Sequence, residues 1–178
     1  MLKDFYKKHS ERVKAFFGIS FLCLVFAAGF FSYDSYKTDE PPANNALEKL
    51  KSKLHERELS AGTHMLRGKA YRFDYSTNEF DKKVWVILNV KFKEDKVYLG
   101  DTYSIVLTYI GTDADGLDYY YKAHHYIKGI PELQKEGYYL DYLVIHDPAR
   151  KAVSVNTTPS GNQTGVPDTF IGTLDPVF

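Results

Sequence analysis

The sequence VWVILNVKF, residues 84–92, alternates a wholly apolar side with a mixed one. The apolar side consists of Val84, Val86, Leu88, Val90 and Phe92. The other side carries Trp85, Ile87, Asn89 and Lys91. Alternation with a period of two is typical of a β-strand, because successive side chains point to opposite faces of a sheet. The stretch therefore predicts a long strand with one face in an apolar core.

Short turn motifs on either side of this strand predict antiparallel hairpins. KEDK at 93–96 leads into an apolar segment, GTDADG at 111–116 separates two Tyr-containing segments, and DPAR at 147–150 is a third turn signal. Strands joined by such short turns are antiparallel neighbours. The predicted strands are 71–75, 84–92, 97–110 with an interruption at Gly100-Asp101, 117–127, 138–146 and 152–156.

Two helices are predicted beside these strands. Between Ala46 and Leu59, the residues Leu47, Leu50 and Leu54 recur at spacings of three and four, which is typical of an amphipathic helix. Its apolar stripe favours packing on the protein's own sheet, and a short coiled coil with a partner is the alternative. Gly129-Ile130-Pro131 opens a second, short helix. The predicted fold class is α+β, a helix packed on a five- to six-stranded antiparallel sheet.

A membrane anchor is predicted upstream, at residues 15–33 (AFFGISFLCLVFAAGFFSY), which contain no charge and no proline. At about 1.5 Å per residue, this helix just spans a hydrocarbon core of roughly 30 Å. Basic residues precede it, and this bias predicts a cytoplasmic N-terminus. The alternative is a cleaved signal peptide, but bulky Phe30 and Phe31 continue past the candidate cleavage site.

The predicted organisation follows from this anchor. It comprises a cytoplasmic tail at 1–14, the single-pass anchor at 15–33, a linker at 34–45, an extracytoplasmic domain at 46–156 and a C-terminal tail at 157–178. The chain has one cysteine, Cys23, inside the anchor, so the exported domain has no disulfide. This favours the inner membrane and periplasm of a bacterial envelope. The 23 basic and 23 acidic residues balance and predict no nucleic-acid partner.

One weak candidate for a metal site is formed by Asp113, Asp115 and Asp118 around Gly116. Closely spaced aspartates before a glycine resemble the start of a calcium loop, because hard cations prefer oxygen ligands on a tight turn. The position of the bidentate glutamate, however, holds Lys122. An Asp-Gly hairpin turn explains the same residues, so no metal and no cofactor are predicted.

The candidate protein-binding residues are Tyr120, Lys122, His124 and Tyr126. On a regular strand they alternate with inward-facing residues and form one exposed row. Tyrosine is favoured at protein interfaces, so this row predicts a contact surface. The alternative is a face covered by the 46–59 helix or by the C-terminal tail.

No nucleophile elbow, HExxH motif or phosphate-binding glycine loop occurs in the sequence, so no catalytic residue is predicted. The predicted function is a membrane-anchored extracytoplasmic protein-binding domain. Its partner would be an envelope or secretion apparatus in which it is an assembly component, or a toxin that it neutralises as an inhibitor or immunity protein. The alternatives are a lipid- or glycan-binding module and a hydrolase that uses two carboxylates, which needs no linear motif.

Overall fold

The computed structural model describes residues 42–129, 136–161, 165 and 167–177. The chain divides into two compact units, Met1–Leu50 and Lys51–Phe178. The described part contains one helix and nine strands, numbered here in chain order. They are α1 (Pro42–Lys51), β1 (Thr63–Asp74), β2 (Glu79–Lys93), β3 (Lys96–Leu99), β4 (Ile105–Thr112), β5 (Asp118–Ile127), β6 (Tyr138–Asp147), β7 (Ala152–Pro159), β8 (Asp168–Thr173) and β9 (Asp175–Pro176).

The strands form a sheet that closes on itself. From β2 to β8, the order across the sheet follows the order along the chain, and neighbouring strands are antiparallel. β1 completes the cylinder, because it pairs with β2 along one edge and with β8 along the other. Ala70 of β1, for example, is paired with both Val86 and Gly172. The short β9 pairs with the first half of β1.

The inner face of the cylinder holds the hydrophobic core. Directly paired residues of neighbouring strands point to the same face, so the register assigns one side chain in two to the interior. β2 contributes Leu88, Val90 and Phe92, which confirms the inward side predicted for these three residues, whereas Val84 and Val86 of the same predicted side are exposed. The other core residues are Leu66, Ala70, Val97, Leu99, Leu107, Tyr120, Tyr142, Val144, Val153, Val155 and Leu174.

The α+β prediction is wrong. The described region is nearly all strand, and its sheet has nine strands where five or six were expected. Two of the missing strands, β8 and β9, lie within residues 157–178, which were expected to form a tail. They were missed because their Gly, Pro and Thr residues resemble a loop, whereas β8 is held by pairing with both β7 and β1.

The helix predicted over 46–59 also differs from the observed one. α1 ends at Lys51, and the chain beyond it runs extended beside β4. There, the backbone N–H of His55 donates to the carbonyl of Thr112 at 2.9 Å, and Thr112 donates back at 2.8 Å. This pairing removes residues 54–59 from the helix despite their leucine spacing.

Two further predictions concern residues outside the described part. The anchor at 15–33 lies there, and so do the residues that follow Gly129 in the predicted short helix. Among the helices that the structure describes, none combines the length and the apolar character that crossing a membrane requires.

Candidate functional site

A cavity of about 420 Å³ opens at one end of the cylinder, where β1 begins and β2 and β6 end. Its lining includes the segment before β1 and the chain around β9. We call it the mouth cavity. Its polar and aromatic lining includes Arg57, His64, Phe92, Asp118, Tyr120 and His146. Openings of closed sheets are common sites for small ligands.

The charged centre of the mouth cavity is a bidentate ion pair. Arg57 donates from Nε to Oδ1 of Asp118 at 2.8 Å and from Nη2 to Oδ2 at 2.5 Å. The Thr112 hydroxyl donates to the same carboxylate at 2.7 Å. Asp118 is only 2% exposed, so these contacts compensate a charge that burial would otherwise disfavour. The hydrogen bond to Asp118 raises the pKa of Arg57.

His146 forms one wall of the mouth cavity as a neutral imidazole. Its ring stacks on Phe92 with centroids 4.2 Å apart. Its Nδ1 lies 3.8 Å from Oδ2 of Asp118, which is beyond hydrogen-bonding distance. Burial lowers the pKa of His146 to about 4, against the opposing effect of Asp118. At neutral pH the ring therefore offers one N–H donor and one nitrogen acceptor.

Tyr120 stands beside His146 on the inner face. It is 3% exposed, and its ring makes edge contacts with Phe92 at 5.7 Å and Tyr109 at 5.6 Å. Within the part of the chain that the structure describes, its hydroxyl makes no hydrogen bond. Burial raises the pKa of Tyr120, so the phenol stays protonated and can donate. The hydroxyl oxygen is not one of the fully buried atoms, so it is accessible from the mouth cavity.

A second polar cluster lies at the opposite end of the cylinder, around Asp141 of β6. Its carboxylate accepts hydrogen bonds from the Tyr121 hydroxyl at 3.0 Å, from the backbone N–H of His124 at 2.9 Å and from the Ser160 hydroxyl. The cluster stabilises a bulge in β5, where His124 has a φ of +50°. Such bulges add one residue to a strand and reset its alternation.

The same end of the cylinder exposes an apolar stretch of β2. Val84, Trp85, Val86 and Ile87 are 37–47% exposed, because β1 and β2 extend beyond the core here. β3 pairs with β2 only over Val90–Lys93, so within the described residues no strand covers the preceding edge. We call residues 84–88 the open edge.

The backbone direction at the open edge follows from Asn89. Its carbonyl accepts a hydrogen bond from the N–H of Gly100 at 3.3 Å, on the side where β3 lies. Because backbone groups point to the same side at every second residue, those of Ile87 and Trp85 also face this side. These two residues therefore offer two N–H and two C=O groups to the open edge.

The outer face next to the open edge is basic and aromatic. Lys69 places Nζ 3.8 Å from the ring centroid of Trp85, and Lys91 lies 4.4 Å from that of Tyr98. Both contacts are cation–π interactions. The side chains of Arg67, Lys69, Lys91 and Lys93 share this face because their positions alternate with the core positions of β1 and β2.

The four predicted protein-binding residues are not on one exposed face. Tyr120 and Lys122 point inwards, since their partners across β6 are the core residues Val144 and Tyr142. The exposure predicted for Tyr120 is therefore wrong. His124 lies exposed in the bulge, and Tyr126 follows it on the outer face, 53% exposed. The extra residue of the bulge moves Tyr126 to the face opposite Lys122.

The three candidate aspartates also point to different surroundings. Asp113 accepts hydrogen bonds from the backbone N–H groups of Asp115 and Leu117 and from the Tyr119 hydroxyl. It therefore closes the β4–β5 turn, whereas Asp118 binds Arg57. Within the described residues, no three His, Cys, Asp or Glu side chains are grouped to hold a metal ion.

The sequence analysis did not identify the mouth cavity. Arg57 and Asp118 are 61 positions apart and belong to no linear motif. Phe92 was predicted only as a core residue, and His146 only as the last residue of the predicted strand 138–146. A pairing of this kind becomes visible only when the register across the sheet is known.

No protein-family model, no curated protein and no solved structure matches this chain.

Proposed function

We propose that this chain is a membrane-anchored extracytoplasmic protein that binds an extended segment of a partner protein at the open edge of β2. The observation that carries this proposal is the run of four exposed apolar residues, Val84–Ile87, on a strand edge that no described strand covers. An exposed edge of this kind pairs readily with another chain, so proteins that keep one either protect it or use it.

Strand addition explains the chemistry of the open edge. A partner strand would receive hydrogen bonds from the N–H groups of Trp85 and Ile87 and would donate to their carbonyls. Backbone pairing of this type supplies affinity with little dependence on sequence, and the side chains on both faces of the added strand supply specificity. Trp85 is a suitable anchor, because large aromatic residues dominate many interfaces.

The basic residues around the open edge favour a partner segment that contains acidic residues. Lys69 and Lys91 lie on the outer face, and Lys82 and Lys83 precede the edge. We therefore expect a segment that alternates apolar residues, directed toward Val86, with acidic residues directed toward the outer face. Complementary charges of this kind increase the association rate and exclude basic partners.

Site-specific photo-crosslinking in the native membrane tests this proposal. A photoreactive residue at position 87 of the full-length chain should give a discrete adduct, and mass spectrometry should place the crosslink in an extended acidic segment. Thr108, an exposed residue on the outer face of β4, is the matched control position. Equal adducts from both positions, or none from position 87, would reject strand addition at β2.

A proline variant tests the backbone contribution separately. Ile87→Pro removes one N–H from the open edge without removing a bond to β1, and proline is tolerated on such edges. For this test the photoreactive residue is placed at position 85 instead of 87. We expect its adduct to disappear in the Ile87→Pro variant, while the melting temperature stays close to that of the wild type. Retention of the adduct would mean that side chains alone bind the partner.

The role of the anchor distinguishes the two proposed settings. An assembly component of an envelope or secretion apparatus uses contacts of its own helix, so exchanging residues 15–33 for an unrelated membrane helix should abolish its activity. An inhibitor or immunity protein needs the helix only as a tether, and the exchange should leave protection intact.

Reporter fusions after residue 14 and after residue 178 check the proposed topology.

A further inference from the structure

We infer that the mouth cavity binds a small aromatic monocarboxylate, whose ring packs against Phe92 and His146 and whose carboxylate accepts hydrogen bonds from Tyr120. This site is separate from the open edge of β2 and does not depend on partner binding there. The cavity of about 420 Å³ lies at the small end of the range of roughly 300–1,000 Å³ that is usual for ligand pockets.

The unused hydrogen-bonding groups indicate a ligand. Within the described residues, neither the Tyr120 hydroxyl nor the His146 ring makes a hydrogen bond, although both line the cavity and are largely buried. Both rings also contact Phe92, so they lie on the same wall. A ligand with an acceptor group supplies the partner that these donors lack.

The aromatic wall selects the body of the ligand. The lining combines the rings of Phe92, His146 and Tyr120 with the apolar side chains of Leu66 and Met65. Such a surface favours a flat ring, because aromatic pairs gain about 0.5–1.5 kcal/mol beyond the burial of their area.

The charge of the lining favours an anionic ligand. Arg57 neutralises Asp118, and Lys93 and Lys151 add two positive charges at the rim against one acidic residue, Glu94. The net positive charge attracts a carboxylate and disfavours a cation.

Binding of 2-naphthoate tests the inference. The full-length chain in lipid nanodiscs is titrated with 2-naphthoate and with its neutral isostere 2-naphthamide, and empty nanodiscs correct for uptake by the lipid. We expect saturable binding of the carboxylate with an affinity at least about tenfold higher than that of the amide. Equal affinities, or no binding beyond the empty nanodiscs, would overturn the proposal.

Two variants locate the site. Tyr120→Phe removes only the hydroxyl, which has no partner in the described structure, so the melting temperature should be unchanged while naphthoate binds about tenfold more weakly. Lys151→Gln should weaken binding, whereas Lys128→Gln, an equal change of charge at the far end of β5, should not. An unchanged affinity in Tyr120→Phe, or equal effects of the two lysine variants, would place the ligand elsewhere.

Discussion

His146 is a residue whose surroundings make the stability of the protein depend on pH. Burial lowers its pKa to about 4 from an ordinary 6.5, and the charged or titratable groups around it are Asp118, Asp147, Arg57 and His64. Between these two pH values, the unfolded chain binds a proton that the folded chain does not. The free energy of unfolding therefore falls as the pH drops through this window, by roughly 3 kcal/mol from this residue.

A His146→Phe variant isolates this effect. It keeps an aromatic ring against Phe92 but has no titrating group. We expect its melting temperature to fall less than that of the wild type between about pH 7 and about pH 4.5, as followed by circular dichroism of the full-length chain. An equal fall in both proteins would show that His146 does not contribute to acid sensitivity.

Arg57 is expected to contribute more to stability than an arginine whose carboxylate partner is exposed, because the Asp118 side chain is 3% exposed. Arg57→Met leaves the buried Asp118 carboxylate without its cation, and breaking a buried pair in this way costs about 3–5 kcal/mol. The lower end applies here, because Arg57 itself is 37% exposed and the Thr112 hydroxyl still donates to Asp118. Denaturant unfolding of the variant measures the loss.

Arg72→Met is the matched control. Arg72 pairs with Asp168 at 2.6 Å and is about as exposed as Arg57, but the Asp168 side chain is 39% exposed, so water still reaches this carboxylate when the arginine is removed. We expect a loss of less than about 1 kcal/mol. If both methionine variants lost the same stability, burial would not be what makes the Arg57–Asp118 pair important.

At the scale of elements, the seam between β1 and β8 requires a glycine. A Cβ at Gly172 would lie 2.7 Å from the carbonyl oxygen of Lys69 and 3.0 Å from the Cα of Ala70. Both atoms belong to the backbone of β1 and cannot move without separating the strands. We expect Gly172→Ala to lower the free energy of unfolding by about 1–3 kcal/mol.

Thr173→Ala serves as the comparison on the same strand, because Thr173 is exposed and is not paired with β1. Its expected effect is within about 0.5 kcal/mol. A Gly172→Ala variant as stable as Thr173→Ala would mean that β8 can withdraw from β1 without loss.

The bulge in β5 shows how one residue redistributes a whole strand. Strict alternation placed Tyr120, Lys122 and Tyr126 on one face, whereas the extra residue before His125 separates Tyr126 from the other two. The carboxylate that stabilises the bulge comes from Asp141 on the neighbouring strand. Because the bulge depends on a residue of another strand, the sequence of β5 alone could not predict it.

At the scale of the whole molecule, closure of the sheet creates two different ends. One end holds the mouth cavity with its partly buried ion pair, and the other carries the open edge, where β1 and β2 extend past the core. Cylindrical closure normally removes the edges of a sheet, so an apolar edge that stays uncovered is an exception within this fold. The two proposed binding sites use these two ends independently.

Local features of the fold could be predicted from the sequence. The inward side of β2 at Leu88, Val90 and Phe92 follows from the period of the side chains, and the turns at 93–96 and 147–150 follow from residues that are close in the chain. These signals involve only neighbouring residues, so they can be recognised without knowledge of any tertiary contact.

The tertiary structure alone decided closure, exposure and the candidate sites. β8 joins β1 across about 100 positions, Arg57 meets Asp118 across 61, and β6 is buried without interruption from Asp141 to Ile145, so that both of its faces are covered. Each of these outcomes depends on which strand becomes the neighbour of which. Pairing between distant segments is set by the total free energy of the closed sheet, and no single stretch of sequence contains that information.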